Sequence, residues 1–303
     1  MKTKVKTLND KKSLYYNWSS EIYGLGQYYR AIAKYPSRLP LFFTSDHGCS
    51  FPDDTPNYAR ESNPRSLFHL TWSPWIKASK GDWSKGPMRI AIKHPYFLKE
   101  LPRYAKEKEV VTYFPYHTVP GHQISGLDDK RNLNLLHEIV CKGAEVRVCL
   151  HWHDWNTDRR IVFSKILKTI TAGDSLCADF ATNLLEILQE SQEIVSENVG
   201  SQVFYALALG KKITFLCSEI QASDSLLTNQ KIRQLEKSLI SRIKNFQNNN
   251  SDEMRGEILR DFLGFDYKWS RVKIFLICWI SLVAIGPRWF CVRAFQKFRE
   301  RMG

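Results

Sequence analysis

Apolar and polar positions alternate most regularly from Asp128 onward. Asp128–Cys141 repeats Leu133, Leu136, Ile139 and Val140 at helical spacing and stops before Gly143. Val146–Leu150 has the character of a buried strand, and Ile166–Thr171 reads as a second, shorter run of strand. Gly173-Asp174 turns the second run into an amphipathic helix, Leu176–Gln189. Ser191–Leu216 then reads as a strand (Glu193–Val195), a polar turn (Ser196–Gly200), a helix (Ser201–Leu209) and a strand (Ile213–Leu216). Gly210 falls where a helix C-terminus takes a residue free of the Cβ penalty. Strands alternating with helices over Val146–Leu216 predict a parallel sheet flanked by helices.

Upstream the pattern is sparser. Leu39–Thr44, Met88–Ile92 and Val110–Phe114 read as buried strands, and Gly24-x-Gly26 as a loop entering a helix at Gln27–Lys34. That G-x-G lacks the preceding strand and the third glycine of a dinucleotide fingerprint. Asn57–Lys85 is irregular, and its Trp72, Trp75 and Trp83 are read as the plug of a small core rather than as a sugar-stacking surface. Downstream, Ser223–Gln247 is a charged amphipathic helix, Asn248–Ser251 a break and Ile258–Phe265 a short helix. The apolar run Ile274–Ile285 ends at Gly286-Pro287. Twelve helical residues reach about 18 Å, short of a hydrocarbon core of roughly 30 Å, so this segment is expected to enter one leaflet or lie in the interface, the alternative being a core helix of the soluble fold.

With 43% hydrophobic residues the chain is expected to be globular, and 303 residues leave room for two α/β domains. A net charge of +13 calls for an acidic partner. No nucleic-acid signature accompanies it, which leaves a nucleotide or an anionic membrane surface and excludes nucleic acid. Between Lys268 and Gly303 there are eight Lys or Arg residues against Glu300 alone, so this tail carries +7 of the charge. Seven cysteines without a C-x-x-C pair predict reduced thiols in a cytoplasmic protein. MKTKVKTLNDKK contains no apolar stretch that would mark it for secretion.

Candidate chemistry gathers where apolar runs end. Asp46 and His47 follow the first strand, His94 the Met88–Ile92 strand and His117 the Val110–Phe114 strand. A carboxylate or imidazole at the carboxyl end of a strand is placed for general-base work on an acceptor hydroxyl. Asp46-x-Gly48 equally reads as a capped turn. His151-x-His153-Asp154 is the densest cluster; on an extended chain both imidazoles share a face, as a metal pair requires, yet no third ligand is evident at proper spacing. Ser196, the Gly200 backbone and Ser201 stand at a helix N-terminus, where free N–H groups and the helix dipole favour phosphate, though a serine N-cap in an ordinary βαβ unit fits too. Arg159 and Arg160, opening the next helix, are placed to meet phosphate, but solvated surface charge is the default reading.

SENVGSQVFYALALGKK resembles the segment near the end of the donor domain in bacterial surface-polysaccharide glycosyltransferases of the GT-B type. The likeness extends over about Leu39–Leu216 and includes TYFPYHTVPGH around His117 and VCLHWHDW around His151. Asp46-x-Gly48 and His94-Pro95 are also similar to short motifs of bacterial sialyltransferases, although His94-Pro95 lies in the opposite half from that family's. The resemblance implies two Rossmann-like halves and a metal-independent transfer. The sugar would pass from a nucleotide-sugar to a lipid-linked or polysaccharide acceptor at the inner face of the cytoplasmic membrane. With it, donor binding is expected at His151, Trp152, Asp154, Gly173, Ser196, Glu197, Gly200 and Ser201; the strand-end groups Asp46, His47, His94 and His117 are the catalytic candidates, and no cofactor is needed beyond the donor. The expected division is an acceptor-side domain at 1–125, a nucleotide-sugar domain at 126–220, helices at 221–270 and a membrane-associated tail at 271–303. A metal-dependent hydrolase using His151, His153 and Asp46, and a non-catalytic assembly factor, are the alternatives.

Overall fold

The computed structural model describes residues 17–49, 66–74, 87–98, 109–118, 124–125, 129–141, 143–216, 221–222 and 230–302. Trp75, Trp83, Cys217 and the 223–229 part of the expected charged helix lie outside them. The protein is α/β with parallel sheets and a long apolar C-terminal helix. Two compact units are present: Met1–Glu100 with Leu176–Ala178 and Phe262–Gly303, and Leu101–Ser175 with Asp179–Asp261.

In the first unit, β1 (Thr44–Ser45), β2 (Phe68–Thr71) and β3 (Met88–Ala91) form a parallel sheet in sequential order. The run Leu39–Thr44 contributes less strand than its apolarity predicts. The Leu41 carbonyl accepts from Asn17 Nδ2 (2.9 Å) and the Phe43 carbonyl from Ser20 Oγ (2.6 Å), so side chains fill positions that a ladder would use. Leu41, Phe42 and Phe43 are nonetheless fully buried. β2 lies inside the stretch read as irregular. Trp72 directly after it is fully buried, its edge against His94, and donates Nε1 to the Gly48 carbonyl (3.1 Å), which matches the plug reading for this tryptophan. The helix Leu25–Ala33 follows Gly24, which holds a left-handed conformation (φ 73°) as the expected loop requires.

The second unit is a five-stranded parallel sheet. Its strands are β4 (Val110–Phe114), β5 (Glu145–Cys149), β6 (Lys168–Ile170), β7 (Glu193–Ser196) and β8 (Lys212–Phe215), in the spatial order β6-β5-β4-β7-β8. Counted along the chain this is 3-2-1-4-5, so connections run one way from β4 through β6 and the other way from β7 to β8. The switch point lies between β4 and β7, where parallel sheets open a crevice at their carboxyl ends. Val110–Phe114, assigned by sequence to the first domain, is therefore the central strand of the second sheet, and the division does not fall at 125. The other βα elements keep their expected order, with helices at Asp129–Cys141, Phe180–Glu190 and Ser201–Ala208. Gly210 has φ 75°, the left-handed value expected of it. A core of Tyr113, Leu136, Val148, Leu150, Phe163 and Val195 fills the β4–β6 side of the sheet.

The chain leaves the second unit along the helix Asp252–Leu263 and returns to the first. Gly264 makes the turn at φ 63°, where a Cβ would come within 3.0 Å of the Trp72 carbonyl oxygen. The terminal helix, Ser270–Met302, is 33 residues long and passes straight through Gly286-Pro287. That overturns the expected interruption. Proline removes one intrahelical hydrogen bond, to Val283, and Gly286 is buried with Phe42 within 3.9 Å of where its Cβ would be, so this glycine permits packing instead of ending the helix. Ser270–Phe295 is thus long and apolar enough to cross a bilayer by length and composition, with a mean hydropathy of 1.8. The six described cysteines are all free; Cys149 and Cys278 are buried, whereas Cys141 and Cys291 are exposed.

Candidate functional site

In the first unit, the sequence-predicted groups stand at the carboxyl ends of β1 and β3, but mostly inside the protein. Asp46 is fully buried. Its Oδ1 pairs with His69 Nε2 (2.9 Å); its Oδ2 accepts from Thr71 Oγ1 (2.7 Å) and the Trp72 backbone N–H (3.3 Å). His69 Nδ1 in turn meets Thr44 Oγ1 (2.9 Å). A Thr–His–Asp relay thus crosses β1 and β2 with every member at 0% exposure, out of reach of a substrate. Sequence reading missed His69 because its strand was hidden in an irregular-looking stretch. His94 is also buried, within T-shaped contacts to Trp72, Tyr96 and Phe97, and its Nδ1 accepts the Tyr96 backbone N–H (3.3 Å). His47 is half-buried between the rings of Trp18 and Tyr23.

Burial pushes the His94 imidazole from its usual range down to about 3. Below about pH 6.5 the unfolded chain binds a proton here that the folded chain refuses. The stabilisation is therefore complete above about pH 6.5 and is lost as pH falls toward about 3, at up to about 1.4 kcal/mol per pH unit. Urea midpoints of His94→Asn, which keeps a side-chain acceptor for Tyr96, are expected to depend less steeply on pH over this window than those of the unsubstituted chain. An unchanged slope would contradict the account of His94.

In the second unit, the chain after β4 and the chain after β5 bring together His117, His151, Trp152 and His153. The His117 and His151 rings stack at 4.2 Å and 22°; His151 and His153 lie 5.2 Å apart, and Trp152 covers His153 at 3.5 Å. The pair His151/His153 is not on a strand, as the extended-chain reading requires. Residues Trp152–Trp155 form one helical turn capped by His151, whose Nδ1 accepts the His153 backbone N–H (3.4 Å). The proton of His151 therefore sits on Nε2. His117 Nδ1 faces the Thr118 carbonyl (3.0 Å), which can only accept, so a neutral His117 ring would carry its lone pair on Nε2. Burial first, then His117 and His153, push His151 down to about 3, so it stays neutral. His153 is lowered as well, by burial and His117, against the pull of Asp154 and Asp174.

Beneath the rings lies a buried charge network. Asp154, fully buried, accepts from the Thr118 N–H and hydroxyl and pairs with Arg159 Nη1 (3.1 Å). Arg159 also grips Asp129 with both nitrogens of its fork (2.8 and 2.7 Å) and donates to the Tyr116 carbonyl. Burial lowers its pKa, but Asp129, Asp154 and Glu197 outweigh that and leave it raised. The reading of Arg159 as solvated surface charge is therefore corrected, while Arg160 is exposed and stacks over Trp155. Glu197 is buried and accepts from Tyr113, Asn132 and the Tyr116 N–H (3.0 Å). Burial raises its pKa against those hydrogen bonds. Asp154 and Glu197 thus fix the loop that carries Tyr116, His117 and Thr118 from two sides.

Across the switch point, Ser196 Oγ donates to the Asn198 carbonyl (2.8 Å) and accepts from Gln202 (3.2 Å). Gly200 caps the Ser201–Ala208 helix without a side-chain bond, and Ser201 opens it, half-buried. Gly173 follows β6 at φ 108°. Among the described residues, no group of three His, Cys, Asp or Glu side chains is arranged to hold a metal ion, and both oxygens of Asp46 are engaged by β2 and Trp72. No family model, curated protein or solved structure matches the chain.

Proposed function

We propose that this protein is a metal-independent glycosyltransferase of GT-B-like architecture. It moves a sugar from a nucleotide-sugar to a lipid-linked or polysaccharide acceptor at the inner face of the cytoplasmic membrane, to which the 271–303 tail attaches it. One observation carries the reading. The 3-2-1-4-5 parallel sheet carries, at its carboxyl edge, two stacked imidazoles after β4 and β5 and a helix N-terminus after β7, beside the switch point. The second unit is then the donor-binding Rossmann-like half and the first its acceptor-side counterpart.

In this reading the Ser196–Ser201 turn receives the diphosphate, whose charge the helix N-terminus offsets as the sugar leaves. The His151 Nε2–H donates to a donor oxygen, and Trp152 supplies stacking surface. His117 Nε2 is the base that takes the acceptor proton. Asp46 and His94, enclosed in the first unit, act as structural groups, and Asp154 and Glu197 position His117 rather than touching donor. Losing one hydrogen bond to a charged phosphate costs about 1.5–3 kcal/mol, so Ser201→Ala is expected to weaken donor binding about 10- to 150-fold. Calorimetric titration showing unchanged affinity would remove the phosphate turn from the site. Activity is expected to survive chelator treatment; its loss, restored by one equivalent of metal, would favour the hydrolase.

A further inference from the structure

We infer that the C-terminal helix docks on an anionic lipid surface lying in its plane, not crossing it. The helix is long enough to span, but from Ser270 to Trp289 one side is committed to the first unit. Ile274, Cys278, Ser281 and Ile285 are buried; Trp279 Nε1 donates to the Ala33 carbonyl (3.1 Å), and Trp289 packs on Phe42. At its start, Ser270 Oγ accepts from the Lys93 N–H (2.8 Å) and Lys273 Nζ donates to the Ala91 carbonyl (2.9 Å). Ser270 to Trp289 measures about 29 Å of helix, the whole thickness of a hydrocarbon core. A crossing would drag the unit packed against those turns, with its Arg30–Glu21 pair and sheet, into lipid.

The opposite side is apolar and open. Val272, Leu276, Val283 and Phe290 follow one another along it at helical spacing, with Val283 75% exposed. Trp269, 76% exposed, stands at the head of this stripe, where an interfacial tryptophan belongs. Exposed Lys268, Arg271 and Arg288 accompany it, and no acidic residue occurs from Lys268 to Arg299. An apolar stripe with only cations beside it is complementary to anionic headgroups over acyl chains, where each cation near the surface adds attraction.

This inference rests on the tail attachment proposed above, and the two fail differently. The full chain, tagged at both ends, is added to preformed vesicles of phosphatidylcholine with or without phosphatidylglycerol, and flotation is followed by external protease. The expected result is flotation with the anionic vesicles, both tags cleaved, and a bound fraction about tenfold lower or less for Leu276→Glu/Val283→Glu at an unchanged melting temperature. Phe290→Ser, a milder change at an exposed position, is the second variant and should weaken flotation in the same sense. No flotation would overturn the attachment itself. Flotation with the C-terminal tag protected would overturn only the in-plane arrangement. Flotation unaffected by either variant would show that another surface docks.

Discussion

Asp46→Ala is expected to lower the stability of the chain by about 2–6 kcal/mol, the cost of leaving two buried donors without their common acceptor. The carboxylate is at 0% exposure and serves three donors: His69 Nε2, Thr71 Oγ1 and the Trp72 backbone N–H. Alanine removes the acceptor from His69 Nε2 and the Trp72 N–H, while Thr71 Oγ1 keeps the Ser73 carbonyl (3.2 Å), and each buried group stripped of its partner costs about 1–3 kcal/mol. Asp46→Asn, which keeps the volume and one acceptor oxygen, should lose less. His69→Ala should act on the same network, so the double variant with Asp46→Ala should lose clearly less than the sum. Urea denaturation gives all of these values. A fully stable Asp46→Ala with impaired turnover would instead restore Asp46 to the catalytic role that its strand-end position implies.

His117→Ala is expected to lower turnover about 10²–10⁴-fold while donor affinity stays within a few-fold, because general-base catalysis contributes on that scale to the chemical step alone. His117 and His151 stack at 4.2 Å but turn opposite nitrogens to the backbone: His117 Nδ1 faces the Thr118 carbonyl, whereas His151 Nδ1 accepts the His153 N–H. In the neutral rings, His117 is therefore the one with an accepting Nε2. His151→Ala should therefore show the other pattern, weakened donor binding with a smaller effect on the saturated rate. The check is steady-state kinetics beside direct titration of donor. If His117→Ala turns over normally, the base lies elsewhere, and His47, half-buried at the end of β1, is next.

The second unit was largely legible because its elements obey local rules. Strands β5, β7 and β8 are built on buried apolar pairs, Val146 and Val148, Ile194 and Val195, and Ile213 and Phe215, Gly210 caps where glycine must, and the helices keep their periodicity. The parts that were not legible depend on partners distant in sequence. Nothing around Arg159 announces that Asp129, thirty residues away, would draw it into the interior. The strand holding His69 is only four residues long and sits among Pro, Ser and Trp. Leu39–Thr44 has the apolarity of a strand, but Asn17 and Ser20 claim its carbonyls. At Gly286-Pro287 the local rule predicts a stop, and packing against Phe42 overrides it.

The central claim is that the switch point of the five-stranded sheet binds a nucleotide-sugar. Its most direct test is a thermal-shift titration of the purified full chain with UDP-, GDP-, dTDP- and CMP-sugars, repeated on Ser201→Ala and His151→Ala. At a ligand concentration a hundredfold above Kd, binding to the folded state adds about 2.7 kcal/mol of stability. The account predicts that one nucleotide class raises the melting temperature in a saturable way and that both variants shift its titration to higher concentration. No stabilisation by any of the four classes, or stabilisation that neither variant alters, would contradict it.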